Sequence, residues 1–165
     1  MNIGFDGYAI GGLAVGESET QMYSVLDYID EILPSDKPRY LMGVGYPHQI
    51  VEAVKRGIDM FDCVVPSREA RHGRLYLWTG KKISLKKKND KSYYQTINVK
   101  AEKFKLDKSP INAKSKIKLL RIYSKAYLRH LFSVEDPLAA RLATLNNIEF
   151  YLELMKKIRL VIRNS

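Results

Sequence analysis

Hydrophobic and polar positions change their period along the chain, and each change marks an element. Residues 5–15 are mostly apolar, with glycines at 11, 12 and 16. That run reads as a strand entering a tight loop. Ser18 then opens a helix, and Gln21 three residues on completes a capping box. Met22, Val25, Leu26, Ile29, Ile32 and Leu33 recur on one helical face until Pro34 ends the pattern. Residues 39–44 form the next strand. Pro47 opens a second helix with Ile50, Val51 and Val54 on its apolar face, and Gly57 closes it. Met60, Phe61, Cys63, Val64 and Val65 then read as a buried strand. Pro66 ends it, and Arg68, Arg71 and His72 follow in a loop.

This is β-α-β-α-β with crossovers of the length that parallel strands need. Three strands with two linking helices amount to about three-eighths of a (β/α)8 barrel. Leu41, Val44, Phe61 and Val64 are expected to face its interior. After Gly73 the pattern turns antiparallel: Leu75–Trp78, Ile83–Leu85 and Tyr93–Val99 read as strands, with Lys86–Lys91 an exposed loop. Leu119, Leu120, Tyr123, Ala126, Tyr127, Leu128 and Leu131 mark one helix. Asp136-Pro137 starts another by cap and first-turn proline. Its packing stripe reads Leu138, Leu142, Leu145, Ile148, Leu152, Met155, Ile158 and Ile162, with Asn146-Asn147 as an interruption. The expected fold is α/β: a partial (β/α)8 TIM barrel over 1–73, a basic antiparallel β region over 74–118 and C-terminal helices over 119–165.

Composition narrows the class. The 165 residues suffice for a core. No run of ~18 apolar residues suggests a membrane span. The start, Met1-Asn2-Ile3-Gly4-Phe5-Asp6, has no basic region ahead of an apolar core, so no signal peptide is expected. A single cysteine, Cys63, excludes an internal disulfide framework, and a cytoplasmic protein fits. The formal charge of +10 is uneven: residues 1–73 hold 6 Lys/Arg against 11 Asp/Glu, and residues 74–165 hold 22 against 7. Such asymmetry points to nucleic acid or another anionic surface. From charge alone, a solvated lysine-rich face explains it slightly better.

Asp62 sits inside an apolar run, where a carboxylate is costly unless paired or functional. It lies near the C-terminal end of its strand, where α/β folds collect their chemistry. An aspartate that caps the following turn has the same spacing. Gly11-Gly12 lets backbone N–H groups approach a ligand closely.

Three stretches carry a resemblance. Asp59-Met60-Phe61-Asp62-Cys63-Val64-Val65-Pro66, with Arg68 and Arg71, resembles the nucleophile segment of bacterial tRNA-guanine transglycosylases, the queuine tRNA-ribosyltransferases of queuosine biosynthesis. Tyr8-Ala9-Ile10-Gly11-Gly12-Leu13-Ala14-Val15-Gly16-Glu17 resembles their base-binding loop, and Arg39-Tyr40-Leu41-Met42-Gly43-Val44-Gly45 the next strand and loop. The three fall in family order at family spacing and cover the C-terminal part of the family's length. The resemblance implies exchange of guanine at the tRNA wobble position for a 7-deazaguanine base. Asp62 is then the nucleophile and Asp59 a structural carboxylate. Tyr8, Gly11, Gly12, Leu13, Val15, Met42 and Gly43 line the base pocket. Val15 implies the small 7-aminomethyl-7-deazaguanine (preQ1) over bulky queuine. RNA contact is implied for Gly43, Val44, Gly45, Tyr46, Pro47, His48 and Gln49, and for Ser67, Arg68, Glu69, Ala70 and Arg71. Generic ion pairing is the alternative for the two arginines. Compared with the family, residues 86–96 read as an insertion.

The resemblance also implies a zinc site, and here the sequence departs from it. The three cysteine positions hold Ser115, Ile117 and Leu120, and the histidine position holds Asn146. None binds zinc well, so no cofactor is expected. His130 alone is not a site. The family's second acid belongs to its N-terminal half, which implies an N-terminal barrel half in another chain, or self-association. The rival readings are a non-catalytic tRNA-binding paralogue and a gene fragment.

Overall fold

The computed structural model describes residues 4–164. The opening Met1-Asn2-Ile3, on which the reading of the chain start partly rests, and Ser165 lie outside them. The chain divides into two compact units. One holds the described residues up to Val64 together with Ser84–Asp90, and the other holds Val65–Ile83 and Lys91 onward. The antiparallel region and the helices therefore share one unit.

The first unit runs β1 (Tyr8–Ile10), α1 (Glu19–Ile32), β2 (Arg39–Met42), α2 (Pro47–Val54) and β3 (Met60–Asp62). Its sheet is parallel in the order β1-β2-β3. The Ser18–Gln21 capping box forms, and Pro47 sits in the first turn of α2, as expected. Ile10, Leu41 and Phe61 are neighbours in register on one sheet face. They pack with Met22, Tyr23, Leu26, Val44, Ala53 and Ile58. On α1, Tyr23 joins the core, whereas Val25 is 39% and Ile32 48% exposed.

Strand alternation puts Ala9, Tyr40, Met42, Met60 and Asp62 on the opposite face. This corrects the expectation for Leu41, Val44 and Phe61, which belong to the helix-side core. β3 is also shorter than the apolar run suggests and is not buried: Met60 is 54% and Val64 62% exposed, and Asp62 is exposed. Of its two apolar residues, Phe61 packs on the helix side and Met60 faces the opposite side of the sheet. Arg39 ties the unit together. Its buried guanidinium pairs with Asp30 and donates to Leu33 O at the end of α1, while its backbone N–H donates to Asp59 Oδ2 at 2.9 Å. Gly57 has φ +78, and a Cβ there would run into Arg39 and Asp30.

The second unit holds α3 (Val65–Arg71), β4 (Arg74–Trp78), β5 (Tyr94–Asn98), α4 (Lys118–Ile122), α5 (Lys125–Ser133) and α6 (Pro137–Arg163). β4 and β5 pair antiparallel. Four expectations change here. Pro66 does not lead into a loop, because it lies in the first turn of α3, where its missing N–H is harmless. Ile83–Leu85 forms no strand. The single helix expected from Leu119 to Leu131 is two, broken where Ser124 caps α5 by accepting Tyr127 N. The buried stripe of α6 is Ala139, Leu142, Ala143, Asn146, Asn147, Phe150, Leu154 and Ile158, while Ile148, Leu152 and Ile162 are exposed.

Asn146 and Asn147 do not interrupt α6. Both are fully buried and fully used. Asn147 Oδ1 accepts Tyr76 N at 3.1 Å, and its Nδ2 donates to Arg74 O at 2.9 Å and Pro66 O at 3.0 Å. Asn146 Nδ2 donates to Tyr76 O at 3.0 Å. Side-chain amides thus stitch α6 to β4 and to the start of α3. Among the described residues no helix is long and apolar enough to cross a membrane.

Candidate active site

Asp62 ends β3 beside Met42 of β2. Its Oδ1 accepts the Tyr40 hydroxyl at 2.6 Å and Gly43 N at 3.1 Å. Both donors come from β2 and the turn after it. That turn needs Gly43, whose φ is +76. Neither bond uses Oδ2. The Tyr40 hydroxyl, then the Gly43 N–H, hold the Asp62 carboxyl below the usual aspartate range. The Tyr40 phenol is correspondingly raised, first by its hydrogen bond to Asp62 and then by burial and the carboxylate's charge. The site thus presents an exposed, ionised carboxylate with one oxygen anchored. Reading the sequence missed Tyr40 as a site residue. The signal was a tyrosine two positions before Met42, on the same strand face as Asp62.

The loop after β1 closes on its own acid. Glu17 Oε1 accepts Ala14 N at 2.5 Å and Oε2 accepts Val15 N at 3.0 Å. These backbone N–H groups, Ala14 foremost, hold the Glu17 carboxyl low. Within the loop Gly11 and Gly12 are exposed, Leu13 is half-buried and Val15 is 80% exposed. Tyr8 is half-buried at the start of β1. Gly11 lies against Met42: a Cβ there would sit 3.5 Å from its sulfur. The structure therefore brings the loop and the Asp62 neighbour Met42 together.

The stretch Gly43–Gln49 is more enclosed than an RNA-contacting loop. Val44, Gly45, Pro47 and His48 are buried, so any RNA contact by this stretch falls first to its other residues. His48 Nε2 lies 2.7 Å from Glu19 Oε1, which also accepts Gln49 Nε2 at 3.2 Å. Gly43 stays exposed, and Tyr46 and Gln49 are half-buried. In the second unit, Ser67 to Arg71 lie on α3. Arg68 and Arg71 are exposed there, Ser67 and Glu69 half-buried and Ala70 fully buried. Arg74 pairs with Glu69 at 2.8 Å, and Arg68 lies 3.8 Å from the same carboxylate. The buried Ala70 packs in the core.

The four positions aligned with zinc ligands offer a hydroxyl, an amide and two hydrocarbon side chains. Ser115, 5% exposed, donates its hydroxyl to Glu149 Oε2 and accepts Ile117 N at 2.9 Å. Glu149 Oε1 accepts Lys116 N at 2.6 Å. Asn146 Oδ1 accepts Asn112 Nδ2 at 3.0 Å. Leu120 lies in the core, and Ile117 packs against it. These residues do not fit a zinc ion, which takes thiolate, imidazole or carboxylate donors. A carboxylate clasp joins the 112–117 segment to α6 instead.

Comparison with known proteins places the chain. The queuine tRNA-ribosyltransferase of Haemophilus ducreyi is 45% identical over 165 residues, which is 100% of this chain and 39% of that protein. Those of Clostridium acetobutylicum and Caulobacter vibrioides are each 49% identical, over 93% and 97% of this chain and 37% and 39% of their own lengths. The chain thus spans about two-fifths of the curated relatives it matches. The family model described as queuine tRNA-ribosyltransferase matches residues 1–165, and the chain belongs to that family.

Proposed function

We propose that this chain carries the nucleophile of a tRNA-guanine transglycosylase. The observation that carries the reading is the ionised Asp62 carboxylate, anchored through one oxygen by Tyr40 and Gly43 at the C-terminal end of β3. Asp62 attacks C1′ of the ribose at the wobble guanosine. The glycosidic bond breaks, guanine leaves with a proton from a general acid, and an RNA–enzyme ester remains. A 7-deazaguanine base then attacks C1′, loses its proton and frees the carboxylate. The logic is that of a retaining glycosidase.

The three parallel strands are a segment of a (β/α)8 barrel, because both helices pack on one sheet face. Ala9, Tyr40, Met42, Met60 and Asp62 face its interior. The base sits against the loop after β1, with Gly11, Gly12, Leu13, Met42 and Gly43 as its walls and floor; Tyr8, in register with Arg39, lies on the helix-side face of β1 and drops out of the pocket. Val15 favours preQ1 over a bulkier base. Arg68 and Arg71, with Gly43, Tyr46 and Gln49, meet the RNA. The general acid and the remaining barrel strands belong to polypeptide outside these 165 residues. The protein works in the cytoplasm, where tRNA is modified.

The test is Asp62→Asn with the complementing barrel half supplied. Base exchange and the covalent RNA adduct on a denaturing gel should both disappear while tRNA binding persists. An adduct formed by the Asn variant would sink the assignment.

A further inference from the structure

The segment between β4 and β5 contains Lys86, Lys87 and Lys88 in succession, all exposed. Residues 84–90 cluster with the first unit. They are held there by one buried acid. Glu52 of α2 is 3% exposed and accepts Asn89 N at 2.8 Å, Lys55 Nζ at 2.5 Å and Arg56 Nη1 at 2.9 Å. Lys55 Nζ also donates to Lys87 O at 2.5 Å. The lysine run is therefore held at two backbone groups on either side of Lys88, Lys87 O and Asn89 N. Burial pushes the Glu52 carboxyl up, but Lys55 and Arg56 outweigh it and keep the group ionised.

Lys55 and Arg56 have their charges met by Glu52, and Arg56 also by Asp27 at 2.8 Å. The three loop lysines do not. Among the described residues the lysines paired with carboxylates are Lys55, Lys105, Lys125 and Lys157. Three adjacent ammonium groups repel one another, and a loop free to move would spread them. Here a buried carboxylate prevents that, and the arrangement suits a ligand that brings several negative charges at fixed spacing. Fixing the loop beforehand also lowers the entropy lost on binding.

We propose that Lys86–Lys88 form a pre-organised ridge for consecutive phosphates of the tRNA backbone, braced by Glu52. The identity of the RNA rests on the tRNA reading above. The brace distinguishes this ridge from a merely basic loop, because the two respond oppositely to one change. Glu52→Gln removes a negative charge beneath the lysines. Simple attraction predicts tighter RNA binding, whereas loss of the brace predicts weaker binding.

The experiment is fluorescence anisotropy of labelled substrate tRNA with the 165-residue chain, between about 50 and about 200 mM salt. Replacing Lys86, Lys87 and Lys88 by Ala should reduce the slope of log affinity against log salt by about 2. Glu52→Gln should weaken binding about threefold or more at every salt concentration. Asn89→Pro removes the N–H that meets Glu52 and, because Asn89 has φ +47, also forbids the braced loop conformation, while it leaves every charge in place. It should weaken binding likewise, and it keeps the test decisive if the Gln variant does not fold. An unmoved salt slope, tighter binding by folded Glu52→Gln, or unchanged binding by Asn89→Pro would overturn the ridge. So would lysine-dependent binding to phosphatidylserine vesicles without lysine-dependent binding to RNA. Failure here with normal adduct formation by Asp62 removes the ridge alone. Failure of the adduct with the expected slopes removes the chemistry alone.

Discussion

Tyr40 and Gly43 meet Asp62 through the same oxygen: Oδ1 accepts both bonds and Oδ2 neither, which under the proposed chemistry leaves Oδ2 to attack. Tyr40→Phe should therefore change more than affinity. Removing the hydroxyl lets the Asp62 carboxyl rise toward the ordinary aspartate range, so the acid limb of adduct formation should move to higher pH. The sign holds for stability too. A depressed carboxyl stabilises the fold above its unfolded value and loses that contribution as pH falls through the folded one, and the Phe variant has less to lose. Carbon-13 titration of the Asp62 carboxyl should show the same upward displacement with no substrate present. An unchanged titration in Tyr40→Phe would remove Tyr40 from this role. The position of Asp62 at the end of a strand was legible from its motif, though the strand is exposed there rather than buried. Tyr40 was not, because a strand tyrosine reads as a wall until register sets it beside the carboxylate.

At the scale of elements, legibility followed the reach of the forces involved. The Ser18–Gln21 box and the Asp136 cap act within one turn and were readable. The break at Tyr123–Ser124 was not, because apolar spacing continues across it and only the Ser124 cap marks it. The stripe of α6 was misread because Asn146 and Asn147 look like surface residues. Their partners lie some seventy residues away, on β4. Asn147→Ala would remove the acceptor that meets Tyr76 N and the donor shared by the Arg74 and Pro66 carbonyls. The expected loss is about 3 kcal/mol. Trp78 stacks on Phe150 of α6 at 4.5 Å, so its fluorescence during urea unfolding reads this unit directly. A loss under about 1 kcal/mol would mean that water replaces the amide.

On the scale of the whole molecule, the first unit has one packed sheet face and one that is not. Met42, 45% exposed, and Met60, 54% exposed, lie on the open face with Asp62. The sheet has three strands, and each outer strand pairs on one side only. Unpaired edges and an open apolar face invite association. Within the chain, Asp59 and Glu17 are the acids closest in sequence to the site motifs, and both are engaged by backbone N–H groups. Alone, the 165-residue chain should elute as a dimer or larger and incorporate no labelled guanine into tRNA. Co-expression with the complementing barrel half should raise solubility and restore exchange together. Exchange by a monomeric chain would show that an acid within these residues protonates the leaving base.

The clasp of Glu149 on Ser115 and Lys116 has a consequence beyond packing. A fold closed by thiolates around an ion matures only when a cell can deliver that ion, and thiolates are exposed to oxidants until it arrives. Carboxylate, hydroxyl and amide arrive with the polypeptide itself. This family member finishes its C-terminal unit with what translation supplies. Within the clasp itself no contact waits on a delivered ion, because Glu149, Ser115 and Lys116 meet one another directly.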